Sequence, residues 1–225
     1  MTQLSIFDDN TELADQHIMV DIETMGTEPD SVILSIGAVR FDMETIRASF
    51  EVLVDIQSCL DAGLKVNAKT LQWWMKQSDA ARRLLTDNTS MHLPLREALE
   101  AFNTFVSDKE VWGNGAGFDN VIIKHAMAAV GVTPAWEFWT DRCYRTVKAL
   151  RVPSPTNPAL KRMIARGDVE LADRIKARIE ATGGHRLASK VKPAVAHSAL
   201  ADATAQAQHL ISINRELLSR GVTIL

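Results

Sequence analysis

The stretch HIMVDIETMG, residues 17–26, decides how the rest of the chain is read. Ile18, Val20 and Ile22 alternate, as they would on one face of a strand entering a core. Asp21 and Glu23 then share the opposite face, with roughly 6–7 Å between them along the strand. No Lys or Arg stands within ten residues on either side. Two unpaired carboxylates on a central strand are costly if buried. Hard divalent cations, which prefer carboxylate oxygens, would remove the conflict. A lone Asp-x-Glu also occurs on exposed strands, so the pair needs company before it means a metal site.

The flanking sequence surrounds this strand with an α/β pattern. Residues 31–42 are apolar on both faces and read as a buried strand, and 49–56 as a third. Short connections make the three an antiparallel meander. Residues 67–85 and 93–106 read as helices, EVWGNG (110–115) as a short strand ending in turn residues, and 118–131 as a helix closed by Gly131. AWEFWTD (135–141) reads as a strand and RCYRTVKAL (142–150) as a short helix. PSPTNP (153–158) breaks the chain, charged helical stretches follow to about residue 181, and 182–193 reads as a loop. A long helix, 197–221, ends the pattern. Strands first, then alternating helices and strands, predict one α/β domain over 17–225 with a mixed sheet flanked by helices. A polar, mobile tail (1–16) precedes it, and a basic helical insertion (152–193) interrupts it before the last helix.

Composition narrows the class. Hydrophobic residues make up 46% of the 225, enough for a packed core. No run approaches the eighteen apolar residues of a membrane span. The N-terminus lacks the basic and apolar regions of a secretory signal. Cys59 and Cys143 form neither a disulfide framework nor a metal-ligand spacing, as expected of a reduced cytoplasmic protein. Residues 142–192 hold 13 Lys and Arg against 4 Asp and Glu, a net of +9, so a chain of net −3 carries −12 elsewhere. Such a run is either a solvated helical face or a surface that tracks phosphates.

Two further acids stand in suggestive places. Asp119 opens a helix after a strand and a glycine-rich turn, where it could equally serve the helix terminus. Asp202 lies five residues after His197 on the last helix, among Ala199, Ala201, Ala203 and Ala205. An alanine-rich helix can approach a sheet closely and bring Asp202 toward the strand pair; otherwise it is a surface acid. The stretches VDIETMG (20–26), KTLQWWMKQSDAAR (69–82), GFDNVII (117–123), FWTDRCYRT (138–146) and AHSALAD (196–202) follow one another in order. Together they resemble the DEDDh 3′-5′ exonucleases of the ribonuclease H-like superfamily over residues 17–215. The phage exonuclease A-type subgroup is the most similar.

This resemblance implies hydrolysis of DNA phosphodiester bonds from the 3′ end by a two-metal-ion mechanism, releasing nucleoside monophosphates. Asp21, Glu23, Asp119 and Asp202 would hold two Mg²⁺ or Mn²⁺ ions. His197 would be the general base, a role that suits an imidazole at neutral pH. The backbone at Met25 and Gly26 would lie beside the terminal nucleotide, and Asn114 would bond its sugar or phosphate. Trp73 and Trp74 cannot both face one core, so Trp74 is expected to stack on a base, unless both indoles pack. The motifs do not read the sugar, so an exoribonuclease of the same fold is the alternative, followed by a binding module without catalysis. QLSIF (3–7) resembles the peptide by which bacterial replication and repair proteins grip the sliding clamp, with Gln3, Leu4, Ile6 and Phe7 as its anchors. A DNA substrate and a clamp partner are the expectations that follow, with no membrane involved.

Overall fold

β1 (His17–Thr24) is buried on both faces and lies inside a six-stranded sheet. The computed structural model describes residues 17–86, 91–152, 164–171, 173–174, 177, 185–188, 190–194, 197–219 and 221. The peptide at residues 3–7 and most of the basic insertion lie outside them. β2 (Ile33–Phe41) and β3 (Ile46–Val54) pair antiparallel beside β1 as the meander predicts. β5 (Glu110–Gly113) runs parallel to β1 on its other side, and β6 (Asp141–Cys143) runs parallel to β5. β4 (His92–Leu93) closes the opposite edge, giving the order β4-β3-β2-β1-β5-β6.

The helices divide between the two faces of this sheet. α1 (Ile56–Asp61), α2 (Ala68–Trp74), α3 (Asp79–Thr86), α4 (Leu95–Val106) and α5 (Asp119–Ala129) follow in chain order. Ile18, Val20 and Ile22 face a core built with Leu99 and Phe102 of α4 and Ile122 and Ile123 of α5. The short α6 (Tyr144–Val147) leads toward the small β7 (Arg151–Val152) and β8 (His185–Arg186) pair. α7 (Ala199–Leu218) covers the other face, where Met19, Val39, Phe41 and Trp112 meet Ala203, Ala207 and Leu210. This is a ribonuclease H-like α/β fold. Among the described residues no helix is long and apolar enough to cross a membrane.

Three local expectations change. The helix read over 67–85 is two helices: Asn67 caps α2, and the Ser78 hydroxyl accepts the Ala81 N–H as α3 starts. A capping serine inside a periodic run interrupts it without breaking the period. AWEFWTD is not a strand. Residues 138–140 form a 3-10 turn, and the strand starts at Asp141. Asp141 accepts from Asn120, Lys124 and the Trp136 indole, which ties the chain to α5 just where pairing begins. The loop read over 182–193 contains β8, which pairs with β7. Gly131 does close α5, with φ +69.

Candidate active site

Asp21 lies opposite Gly37 on β2, and Glu23 opposite Ser35. A Cβ on Gly37 would come within 2.1 Å of the Leu200 N and 2.2 Å of the Ala199 carbonyl carbon. The first turn of α7 therefore rests directly on the backbone of β2, beside Asp21. Only a residue without a side chain permits this approach. Ser198 caps the helix through the Ala201 N–H. From that first turn Asp202 meets the strand pair: one carboxylate oxygen each from Asp21, Glu23 and Asp202 lies within 4.8 Å of the others.

Asp119 adds a fourth charge that acts on both Asp21 and Glu23. It is the first residue of α5 and is 3% exposed. Gly113 makes room for it, since a Cβ there would meet Asp119 Oδ2 at 3.0 Å and Asn120 Oδ1 at 2.6 Å. Asn120 itself is buried and bonds Val111 and Asp141, a structural role. Val20 of β1 pairs with Gly113, so the two acidic segments leave adjacent parallel strands at the same end.

The charges confirm the crowding. Burial, the neighbouring Asp119, Glu23 and Asp202 raise the Asp21 carboxyl well above the usual range, while a hydrogen bond from Gln206 opposes the shift. Burial and then the charges of Asp202 and Asp119 lift Glu23 from 4.5 to about 7. Burial lifts Asp119 to about 7 against backbone hydrogen bonds from its own N–H, Ile22 and Asn114 and the charge of Arg145. Burial raises Asp202, with His197 and Lys190 pulling it back. Burial makes all four acids resist ionisation, and Asp21 and Glu23 also feel their acidic neighbours; the close oxygens of Asp21, Glu23 and Asp202 form a hard donor set that a divalent cation fits.

Gln206 is absent from the sequence reading. It lies one turn after Asp202, donates from Nε2 to Asp21 Oδ1 at 2.7 Å, and its buried Oε1 finds no hydrogen-bond partner among the described residues. Its only sequence signal is the i,i+4 spacing from Asp202, which places both on one helix face.

A cleft of about 610 Å³ opens from Glu23, lined by Gly26, Thr27, Asn67, Lys69, Thr70, Trp73 and Phe118 among others. The expected substrate contacts fall differently around it. Trp74 is 1% exposed and its indole N–H donates to the Thr24 carbonyl at 2.9 Å. Trp74 is therefore a core residue, and Trp73, 43% exposed, is the indole of the pair that meets solvent. Met25 is buried, with its N–H bonded to Val32 and its carbonyl to Asn67, so its backbone is already engaged. Gly26 lines the cleft, and a Cβ there would strike Ser31 Oγ at 2.4 Å; close packing inside the protein explains the glycine. Asn114 accepts from Lys148 through its side chain and from Arg145 through its carbonyl. His197 precedes α7 with φ +59, and its ring lies 5.0 Å from that of Trp73.

Comparison with solved structures bears out the fold. The zinc-bound complex of E. coli exonuclease I with single-stranded DNA superposes with a TM-score of 0.52 at 12% identity, covering 89% of this chain and 40% of that one. Exonuclease I from Methylocaldum szegediense gives 0.50 at 16% identity, covering 91% of this chain and 40% of that one. The chain thus spans about two fifths of the length of these nucleases. No curated protein sequence matches it. The phage exonuclease A-type grouping finds no support in these matches, while the wider resemblance to 3′-5′ exonucleases of ribonuclease H-like fold does. Residues 16–214 match the 3′-5′ exoribonuclease Rv2179c-like domain, and by that match, which takes in nearly the whole chain, the protein belongs to this 3′-5′ exonuclease family.

Proposed function

We propose that the protein removes nucleotides one at a time from the 3′ end of single-stranded RNA. The convergence of Asp21, Glu23 and Asp202 within 4.8 Å, at the mouth of a cleft with an exposed indole, carries this reading. The family description as an exoribonuclease favours RNA. Asp21, Glu23, Asp119 and Asp202 would hold Mg²⁺ or Mn²⁺, a pair of which would supply Lewis-acid stabilisation of the attacking and leaving oxygens. The terminal nucleotide occupies the cleft, with its base on Trp73 and its scissile phosphate toward Glu23. His197 takes a proton from the attacking water. A new O–P bond forms, the bond from phosphorus to the O3′ of the preceding nucleotide breaks, and that oxygen is protonated as a nucleoside 5′-monophosphate departs. Asp21 is held in one orientation by Gln206 throughout.

DNA is the second reading, favoured by the clamp-peptide resemblance of Gln3, Leu4, Ile6 and Phe7. One experiment separates these. The protein is incubated with Mg²⁺ or Mn²⁺ and 5′-labelled single-stranded RNA, single-stranded DNA or duplex DNA. A one-nucleotide ladder shortening from the 3′ end on RNA is expected, with Asp21→Asn at least a thousandfold slower while its circular dichroism is unchanged. Faster laddering on DNA reverses the substrate assignment, and no laddering on any strand overturns the enzyme reading.

A further inference from the structure

Trp73 touches two things at once. It lines the cleft beside Glu23, and its ring lies 5.0 Å from His197 at an interplanar angle of 90°. Trp74 completes the cluster, 5.1 Å from Trp73 and 6.2 Å from His197, both edge-on. The cluster is anchored from below. The Trp74 indole is bonded to Thr24, the residue after Glu23, so the position of both rings is tied to the strand that carries Asp21 and Glu23.

The histidine needs such an anchor. His197 has φ +59, a backbone conformation that L-residues other than glycine rarely hold unless their surroundings enforce it. Ser198 then returns to extended backbone, with φ −115, and caps α7. The helix cap fixes the chain after His197, and its ring packs edge-on against the two tryptophans. Perpendicular aromatic contacts at these separations are attractive and orient both partners.

We propose that Trp73 is a positioning residue for His197: its indole holds the imidazole at the wall of the cleft, and a nucleobase entering the cleft bears on the same indole. This rests on the exonuclease reading above. Substrate binding and the placement of the general base then share one side chain. A strand end that reaches the indole steadies the histidine, whereas in an empty cleft the indole meets it only at its edge.

The test is a double-mutant cycle on saturating single-stranded substrate, joined to a contact measurement that needs no turnover. Trp73→Leu, Trp73→Phe, His197→Ala and the Trp73→Leu, His197→Ala pair are compared. Trp73→Leu is expected to lower kcat at least tenfold in the wild-type background and less than twofold in the His197→Ala background. Trp73→Phe, which keeps a ring, should recover most of the rate. In NMR spectra of the intact chain, the His197 ring protons should carry a ring-current shift that Trp73→Leu removes. A Trp73→Leu effect confined to KM, or an equal loss of kcat in both backgrounds, overturns the proposal. Unchanged His197 ring resonances overturn it as well. Absence of hydrolysis by the wild type, with the ring-current shift present, would instead sink the exonuclease reading and leave the contact standing.

Discussion

Asp21 and Glu23 are legible as a pair in the sequence because a strand fixes which residues share a face. Their energetics are not, because burial and the approach of Asp119 and Asp202 are tertiary. Both groups have folded-state values raised above the unfolded ones. The folded protein therefore binds more protons between pH 4 and 7, and without metal its stability falls as pH rises through that window. For Glu23, moved from 4.5 to about 7, the loss is on the order of 3 kcal/mol above pH 7. His17 and His209 act the other way, since burial holds both below their ordinary value and acidification must charge them. The cluster is therefore read as a difference. In metal-free buffer, the thermal midpoint of Glu23→Gln minus that of wild type should be several degrees larger at pH 8 than at pH 5. Saturating Mn²⁺ should raise the wild type at pH 8 and leave the variant less affected. Equal differences at both pH values would show that ionising Glu23 costs the folded protein nothing, neither through burial nor through its acidic neighbours. Gln206 belongs with these residues but escapes a sequence reading, because a glutamine on an alanine-rich helix looks like a surface residue until its Nε2 is seen on Asp21.

Among the elements, α7 decides the site. Its alanines are readable as permission for a close approach, and Ala203 and Ala207 do pack on β1 and β2. The complementary feature, Gly37, gives no signal inside an apolar strand. With Leu200 N only 2.1 Å from a would-be Cβ, Gly37→Ala must push the start of α7 away from the sheet. The expected cost is about 1–3 kcal/mol in chemical denaturation, with Mn²⁺ affinity weakened at least tenfold by calorimetry as Asp202 withdraws. Gly117→Ala, where nothing lies within 4 Å, should change neither. Retained metal affinity in Gly37→Ala would show that Asp202 does not depend on this contact. Two of the three misread segments have the same origin. Ser78 ends a helical period by capping a new helix, and Asp141 starts a strand by accepting three hydrogen bonds; neither leaves a mark in apolar periodicity.

For the whole molecule, the charge pattern and the peptide at residues 3–7 bear on where the enzyme works. The acids are concentrated outside residues 142–192, and the described part of that basic stretch brings Arg145 toward Asp119 and Lys190 toward Asp202. Cations beside a carboxylate cluster suit a polyanionic substrate. If the peptide tethers the chain to a sliding clamp, the tether raises the effective concentration of enzyme at DNA ends. A titration of the bacterial clamp against the intact protein should then give micromolar binding, lost in Gln3→Ala, Phe7→Ala. Equal affinity for both, or none for the intact chain, excludes this partner. The order of acidic motifs, the meander and the helix carrying Asp202 follow from the sequence itself, because strand alternation and helix periodicity are local rules. The meeting of Asp202 with Asp21 and Glu23, the burial of Trp74, the exposure of Trp73 and the contact of His197 with both indoles depend on how α2 and α7 settle against the sheet. The carboxylate meeting and the histidine–indole contacts join residues more than 100 positions apart, and packing between distant surfaces leaves no periodic trace in either segment.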